Sequence, residues 1–340
     1  MASLDSNDPP NLSTAAPFSS VQGVTERLAN EDLLKRLEPM LEALKAEKFQ
    51  GFDLEGFSPA VPVSFARDMP KKFSKDELLK YKPFLKWLET LKSSLSLQYK
   101  LDVEPLHPFH NDPYTLREIH IQAVDYFGER IGFIKLDAVL ENGKSSVGLP
   151  GKIFMRGGSV AMLMILRPND SLDERLVILT EQPRIPAGSL SFLEIPAGVM
   201  DDHDNFAGAA AKEIEEETGI TISQSELIDM TKLALEDSPN LENLAHAIYP
   251  SPGGSDEFIT LFLWEMKLER LEIEALREKL TGERLQGEMI KLRLLNYEDL
   301  WKFATRDAKT MAAWALYESL KRAGKLDDDG NIVDNLRSPT

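Results

Sequence analysis

The stretch Gly198–Ile220, GVMDDHDNFAGAAAKEIEEETGI, decides how this chain is read. Its centre is the run Lys212-Glu213-Ile214-Glu215-Glu216-Glu217-Thr218-Gly219-Ile220. On a helix, Glu213, Glu216 and Glu217 are related by three- and four-residue spacings, so their carboxylates project from one face. They also occupy the last turns before Gly219, a natural C′ residue, where the helix dipole is negative and disfavours anions. Stacking like charges there costs roughly 0.2–0.5 kcal/mol per pair. One or more divalent cations would offset that cost. Carboxylate oxygens are the hard ligands that Mg²⁺ prefers, and Mg²⁺ completes its octahedron with water and substrate phosphates. The pattern asks for a metal.

The same residues resemble the Nudix box, G-x5-E-x7-R-E-U-x-E-E-x-G-U, where U is a bulky aliphatic residue. Aligning on Gly198 places Asp204 at the first acidic position and Lys212 at the arginine. Glu213, Ile214, Glu216, Glu217, Gly219 and Ile220 fall on the remaining fixed positions. The two departures keep their charge sign. An ordinary solvated acidic helix would explain EIEEE alone, but not the two glycines at the full spacing.

The resemblance implies an α/β (α+β) fold: an α/β/α sandwich around a mixed sheet. It implies metal ligation by Glu213, Glu216 and Glu217, with the backbone carbonyl of Ala197 joining the shell. Mg²⁺ is the expected ion, with Mn²⁺ as a substitute. In the family, the arginine at the Lys212 position orients the catalytic glutamates. Lysine keeps the charge but loses the planar bidentate fork, so metal binding should survive with looser catalytic geometry. Asp204 is one methylene shorter than the expected Glu.

Three further segments resemble the ADP-ribose and ADP-sugar pyrophosphatases of that family. Thr180-Glu181-Gln182-Pro183-Arg184 is similar to their arginine-bearing strand end, which implies that Arg184 contacts substrate phosphate. The loop Pro250–Glu257 (PSPGGSDE) is similar to S-P-G-G-x-x-E, which makes Glu257 a support of the metal–substrate assembly. Leu285-Gln286-Gly287-Glu288-Met289-Ile290 matches a G-E-apolar-apolar step and carries the general-base role to Glu288. The implied reaction splits the pyrophosphate of ADP-ribose, ADP-glucose or a similar nucleotide sugar, releasing AMP and a sugar phosphate. Glu216, Glu288 and Lys212 form the implied catalytic set. A dinucleotide, coenzyme or nucleoside triphosphate is the alternative substrate, and a catalytically weak nucleotide-sugar sensor is the reading from another class. Tyr249, Phe258, Trp264, Tyr114, Tyr126 and Phe127 are all open as the adenine platform.

Composition narrows the partners. The chain has 340 residues, 42% of them hydrophobic, and a formal charge of −17. That excess of acid argues against nucleic acid or anionic membrane surfaces and leaves a small phosphorylated ligand, locally neutralised. No cysteine is present, which excludes disulfides, zinc–thiolate sites and cysteine nucleophiles. There is no run of about 18 apolar residues to span a bilayer. The first basic residue is Arg27, preceded by Asp5, Asp8 and Glu26. Transit peptides are Arg-rich and acid-poor, so a cytoplasmic or nuclear location is expected. The resemblance also implies a homodimer.

Along the chain, residues 1–24 read as a polar tail and 25–100 as a helical extension. The extension contains an apolar repeat over Leu33, Leu34, Leu37, Met40, Leu41 and Leu44, an irregular connection at 51–72, and a capping box at Ser74-x-x-Glu77. Residues 101–150 read as a small antiparallel strand region with a turn at Phe127–Arg130, expected to serve dimerisation and substrate binding. Residues 151–325 form the expected Nudix domain, with strands near 159–166, 175–181, 257–266 and 289–295. A helix over Ala308–Arg322 is closed by Gly324, and 326–340 read as a polar tail. The five histidines show no ligand spacing.

Overall fold

The computed structural model describes residues 51–101, 105–143, 148–171, 173–200, 205–238, 242–282 and 289–333. The apolar repeat at residues 33–44 and the N-terminal tail lie outside them. The described residues belong to one compact unit that starts at Gly51.

Strands β1 (Gly51–Leu54), β2 (Val61–Phe65), β3 (Thr115–Phe127), β4 (Arg130–Glu141) and β5 (Lys152–Met155) form a five-stranded sheet in that order. Pairing is antiparallel except between β2 and β3, which run parallel. Helices α1 (Lys75–Leu78) and α2 (Lys82–Leu97) accompany it. The Ser74 hydroxyl accepts the Glu77 N–H at 3.3 Å, so Ser74 caps the start of α1. Pro83 lies in the first turn of α2, where its missing N–H costs nothing. Leu78, Phe84, Ile119, Ile121, Ile134 and Leu136 are fully buried together, with Trp87, Leu88 and Leu91 of α2 packed against them. Gly128 turns β3 into β4 with φ +62°.

Two expectations need correction. The connection at 51–72 holds β1 and β2, so the stretch 25–100 is not helical throughout. Val61 and Val63 alternate into the core across Pro62, which the proline density of the segment concealed. The strand region therefore starts before 101, runs past 150 into β5, and is not wholly antiparallel.

The second sheet has eight strands: β6 (Gly158–Pro168), β7 (Leu176–Arg184), β8 (Ser189–Glu194), β9 (Ala197–Val199), β10 (Ile228–Asp229), β11 (Phe258–Leu268), β12 (Leu280–Thr281) and β13 (Ile290–Asn296). Its path is β10-β11-β6-β7-β13-β12, with β8 paired to β7 and β9 to β6. β6 and β11 are parallel and the other pairs antiparallel, the mixed sheet expected. Helices α3 (Phe206–Thr218), α4 (Met230–Leu235), α5 (Arg270–Leu276), α6 (Leu300–Phe303) and α7 (Ala308–Arg322) cover the two faces.

The run Ser159–Leu166 shows how the layers form. Val160, Met162 and Met164 point to one face, where Ala210 and Ile214 of α3 and Ile273 of α5 meet them. Ala161, Leu163 and Ile165 point to the other, against Met230 of α4, Leu300 of α6, and Ala313 and Tyr317 of α7. A strand buried on both faces reads as an uninterrupted apolar run for this reason. Gly324 follows α7 with φ +68°. The expected polar tail begins later than 326, because Leu326 is buried and bridges Ile332.

Candidate active site

Local rules place the acidic helix. The Asn205 side chain accepts the Gly208 N–H at 2.9 Å and starts α3, and an alanine-rich first half follows. Gly219 ends it in the left-handed region, φ +68°. The Lys279 ammonium donates to the Thr218 carbonyl at 3.2 Å and Thr281 donates to the Glu217 carbonyl. A cation at the negative end partly compensates the stacked acids, a partner the sequence run could not reveal.

Glu213, Glu216 and Glu217 line a cavity of about 810 Å³, shared with Ala197, Gly198, Arg184, Lys212 and Glu257. Glu217 is only 3% exposed. Its carboxylate accepts the Ala197 N–H at 3.0 Å and the Gln182 amide at 3.4 Å. Burial, then the charge of Glu213, push the Glu217 carboxyl up to about 8, against the pull of the Ala197 N–H. A Cβ on Gly198 would stand 1.8 Å from the Glu213 carboxyl carbon, so Glu213 packs directly on that glycine. The box glycine is needed for this close approach.

A divalent cation fits this donor set. Glu217 is a buried carboxyl beside the Glu213 carboxylate, and burial and that neighbouring charge raise its pKa. No three carboxylates or imidazoles converge at ligand distance among the described residues. Glu216 instead pairs with Lys212 at 3.5 Å, one turn back on α3. Glu213 and Glu217 would thus supply the carboxylates, and Mg²⁺ is commonly held by one or two of these plus waters and substrate phosphates.

Arg184 ends β7, where its Nε donates to Glu194 at 2.5 Å. Glu257 pairs with Arg156 at 3.3 Å. Both residues line the same cavity as the glutamates of α3. Glu288 and Asp204 lie outside the described residues.

Sequence reasoning missed several contributors. Asp256 accepts the Arg156 N–H at 2.8 Å and pins the chain that carries Arg156 beside Glu257. Lys309 of α7 is ion-paired with Glu194, which is itself 2% exposed. Arg130 and Phe133 of β4 line the same cavity. Lys309 lies roughly a hundred residues beyond the box, and β4 belongs to the other sheet, so only folding brings them in. Phe133 reaches the cavity while Trp264 is buried in the core with its indole N–H on Glu226, which removes Trp264 as an adenine platform. Tyr249 and Phe258 line a separate cavity.

With the sandwich and the glutamate-lined cavity in place, the chain belongs to the Nudix family. Residues 155–314 match the NUDIX domain. It is 31% identical over 203 residues to "ADP-ribose pyrophosphatase" of Bacillus subtilis (strain 168), covering 58% of this chain and 90% of that protein. It is 41% identical over 211 residues to "Nudix hydrolase 14, chloroplastic" of Arabidopsis thaliana, covering 62% of this chain. The chain spans 65% of that plant protein's length. No helix among the described residues is long and apolar enough to cross a membrane.

Proposed function

We propose that this protein is a pyrophosphatase that cleaves the pyrophosphate bond of a nucleoside diphosphate sugar, ADP-ribose or ADP-glucose being the reference substrates. The observation that carries the reading is the single cavity that gathers Glu213, Glu216 and Glu217 with Arg184 and Glu257. The similarity to an ADP-ribose pyrophosphatase supports it.

Glu213 and Glu217 would hold Mg²⁺ or Mn²⁺, with Glu216 and the Ala197 carbonyl assisting. When bound, the ions neutralise the pyrophosphate oxygens and acidify the attacking water. Arg184 binds substrate phosphate, and Glu257, paired with Arg156, supports the assembly. Lys212 orients Glu216 through their ion pair. Water oxygen bonds to phosphorus, the bridging P–O bond breaks, and Glu288 takes the water proton. The products are AMP and a sugar phosphate.

A hydrolysis screen over nucleotide sugars with Mg²⁺ and Mn²⁺ tests the substrate class, with AMP release expected. Glu217→Gln should lower kcat by about a hundredfold or more. Intact activity in that variant would sink the site assignment.

The homodimer and the cytoplasmic location belong to this proposal. Ile185 and Leu190 are 68% and 77% exposed near the cavity, apolar surface that a second copy would cover. Light scattering at the monomer mass would remove the dimer. The plant relative is named chloroplastic, so plastid import of the full chain carrying a C-terminal fluorescent protein would overturn the location.

A further inference from the structure

The cavity is also lined by a cluster of charges that lies outside the Nudix motif. Glu194 is the last residue of β8 and nearly fully buried. One of its oxygens accepts from Arg184 Nε at 2.5 Å, and the other is paired with the Lys309 ammonium. Lys309 also meets Asp307 at 3.1 Å, and Asp307 in turn caps α7 by accepting the Thr310 N–H at 3.1 Å. The Thr310 hydroxyl accepts the buried Ile195 N–H at 3.0 Å, tying the next residue of the chain to the same helix turn.

This arrangement has a cost that demands a use. A carboxylate so deeply buried is expensive unless both oxygens are matched. Arg184 and Lys309 together balance Glu194 and Asp307, so each oxygen of the buried Glu194 carboxylate meets a cation. Arg184, Glu194 and Lys309 all line that cavity. The guanidinium of Arg184 is held by its Nε edge, which leaves the two terminal nitrogens to form a forked pair with phosphate oxygens.

We infer that Glu194 and Lys309 are positioning residues that hold Arg184 for the substrate pyrophosphate. Lys309 holds the Glu194 carboxylate in place, and Glu194 fixes the guanidinium. The first turn of α7 thereby sets phosphate affinity. The inference rests on the pyrophosphatase reading and deepens it by naming how the phosphate subsite is built.

The test is a double-mutant cycle on ADP-ribose with Mg²⁺, using Lys309→Met, Lys309→Arg, Arg184→Gln and the pair Lys309→Met with Arg184→Gln. Lys309→Met should raise KM by about tenfold with kcat within about threefold, because ground-state and transition-state phosphate binding fall together. Lys309→Arg should restore KM. Added to Arg184→Gln, Lys309→Met should change KM by less than about twofold, since the residue acts through Arg184. A purely structural role would lower kcat or soluble yield without that coupling. Multiplying effects in the double variant, or an unchanged KM in Lys309→Met, would overturn the inference. If Lys309→Met does not fold, Glu194→Gln is read the same way.

Should the wild type hydrolyse no nucleotide sugar, the proposed function fails while the inference is still read from calorimetric binding of inorganic pyrophosphate. The same cycle is then expected in Kd. A wild type that does not bind pyrophosphate, or a cycle without coupling, refutes it.

Discussion

At the scale of single residues, Glu217 and Lys212 decide how the site behaves. The folded protein holds the Glu217 carboxyl at about 8, against an ordinary 4.5. Between those values the native state binds more protons than the unfolded state, so stability falls as pH rises through that window. In the presence of a chelator, wild-type protein should therefore melt at a lower temperature near pH 8 than near pH 5. Glu217→Gln should flatten that slope. Parallel melting profiles for the two proteins would refute burial as the origin of the shift. Adding Mg²⁺ should raise the wild-type melting temperature at pH 8 and leave the Gln variant nearly unchanged. Lys212 pairs with Glu216 at 3.5 Å. A guanidinium there can grip both carboxylate oxygens, so Lys212→Arg should raise kcat by about two- to tenfold. Steady-state kinetics showing a loss would mean that the lysine stem is shaped to its surroundings.

At the scale of elements, the end of α3 is the sensitive point. Gly219 adopts φ +68°, and a Cβ there would meet the Lys279 ammonium at 2.7 Å. Gly219→Ala should cost roughly 1–2 kcal/mol of stability from the left-handed backbone alone. It should also displace the cation that closes the acidic end. Chemical denaturation with unchanged midpoint would contradict this. The element boundaries themselves were readable where local chemistry sets them: Ser74 starts α1, and Gly219 and Gly324 close α3 and α7. They were unreadable at β1 and β2, where prolines suppress the pattern and only pairing with β3 defines the strands.

At the scale of the molecule, the two sheets are not independent. The Phe154 N–H donates to the Gly254 carbonyl at 2.8 Å, and the cavity takes Arg130 and Phe133 from β4. A chain cut to begin at Arg156 keeps the NUDIX match nearly whole but loses both side chains and exposes the strands beside them. Its KM for ADP-ribose should rise by more than about tenfold, if it stays soluble at all. Wild-type kinetics from such a fragment would show that the first sheet is dispensable for binding.

The sequence by itself determined the acidic face of α3, because helical spacing alone aligns Glu213, Glu216 and Glu217. It determined the layered core around β6 too, since a strand buried on both faces needs an apolar residue at every position. The motifs at Arg184 and Glu257 were legible as short fixed spacings, and the fold brings both to the glutamates. Only the tertiary structure decided what surrounds them. Lys279 at the helix end, Lys309 on Glu194, and Arg130 with Phe133 at the rim all come from distant segments. Their placement follows from which strands pair and which helix face is buried. A contact between residues so far apart in the chain leaves no local pattern, because the energy that selects it lies in the shared core.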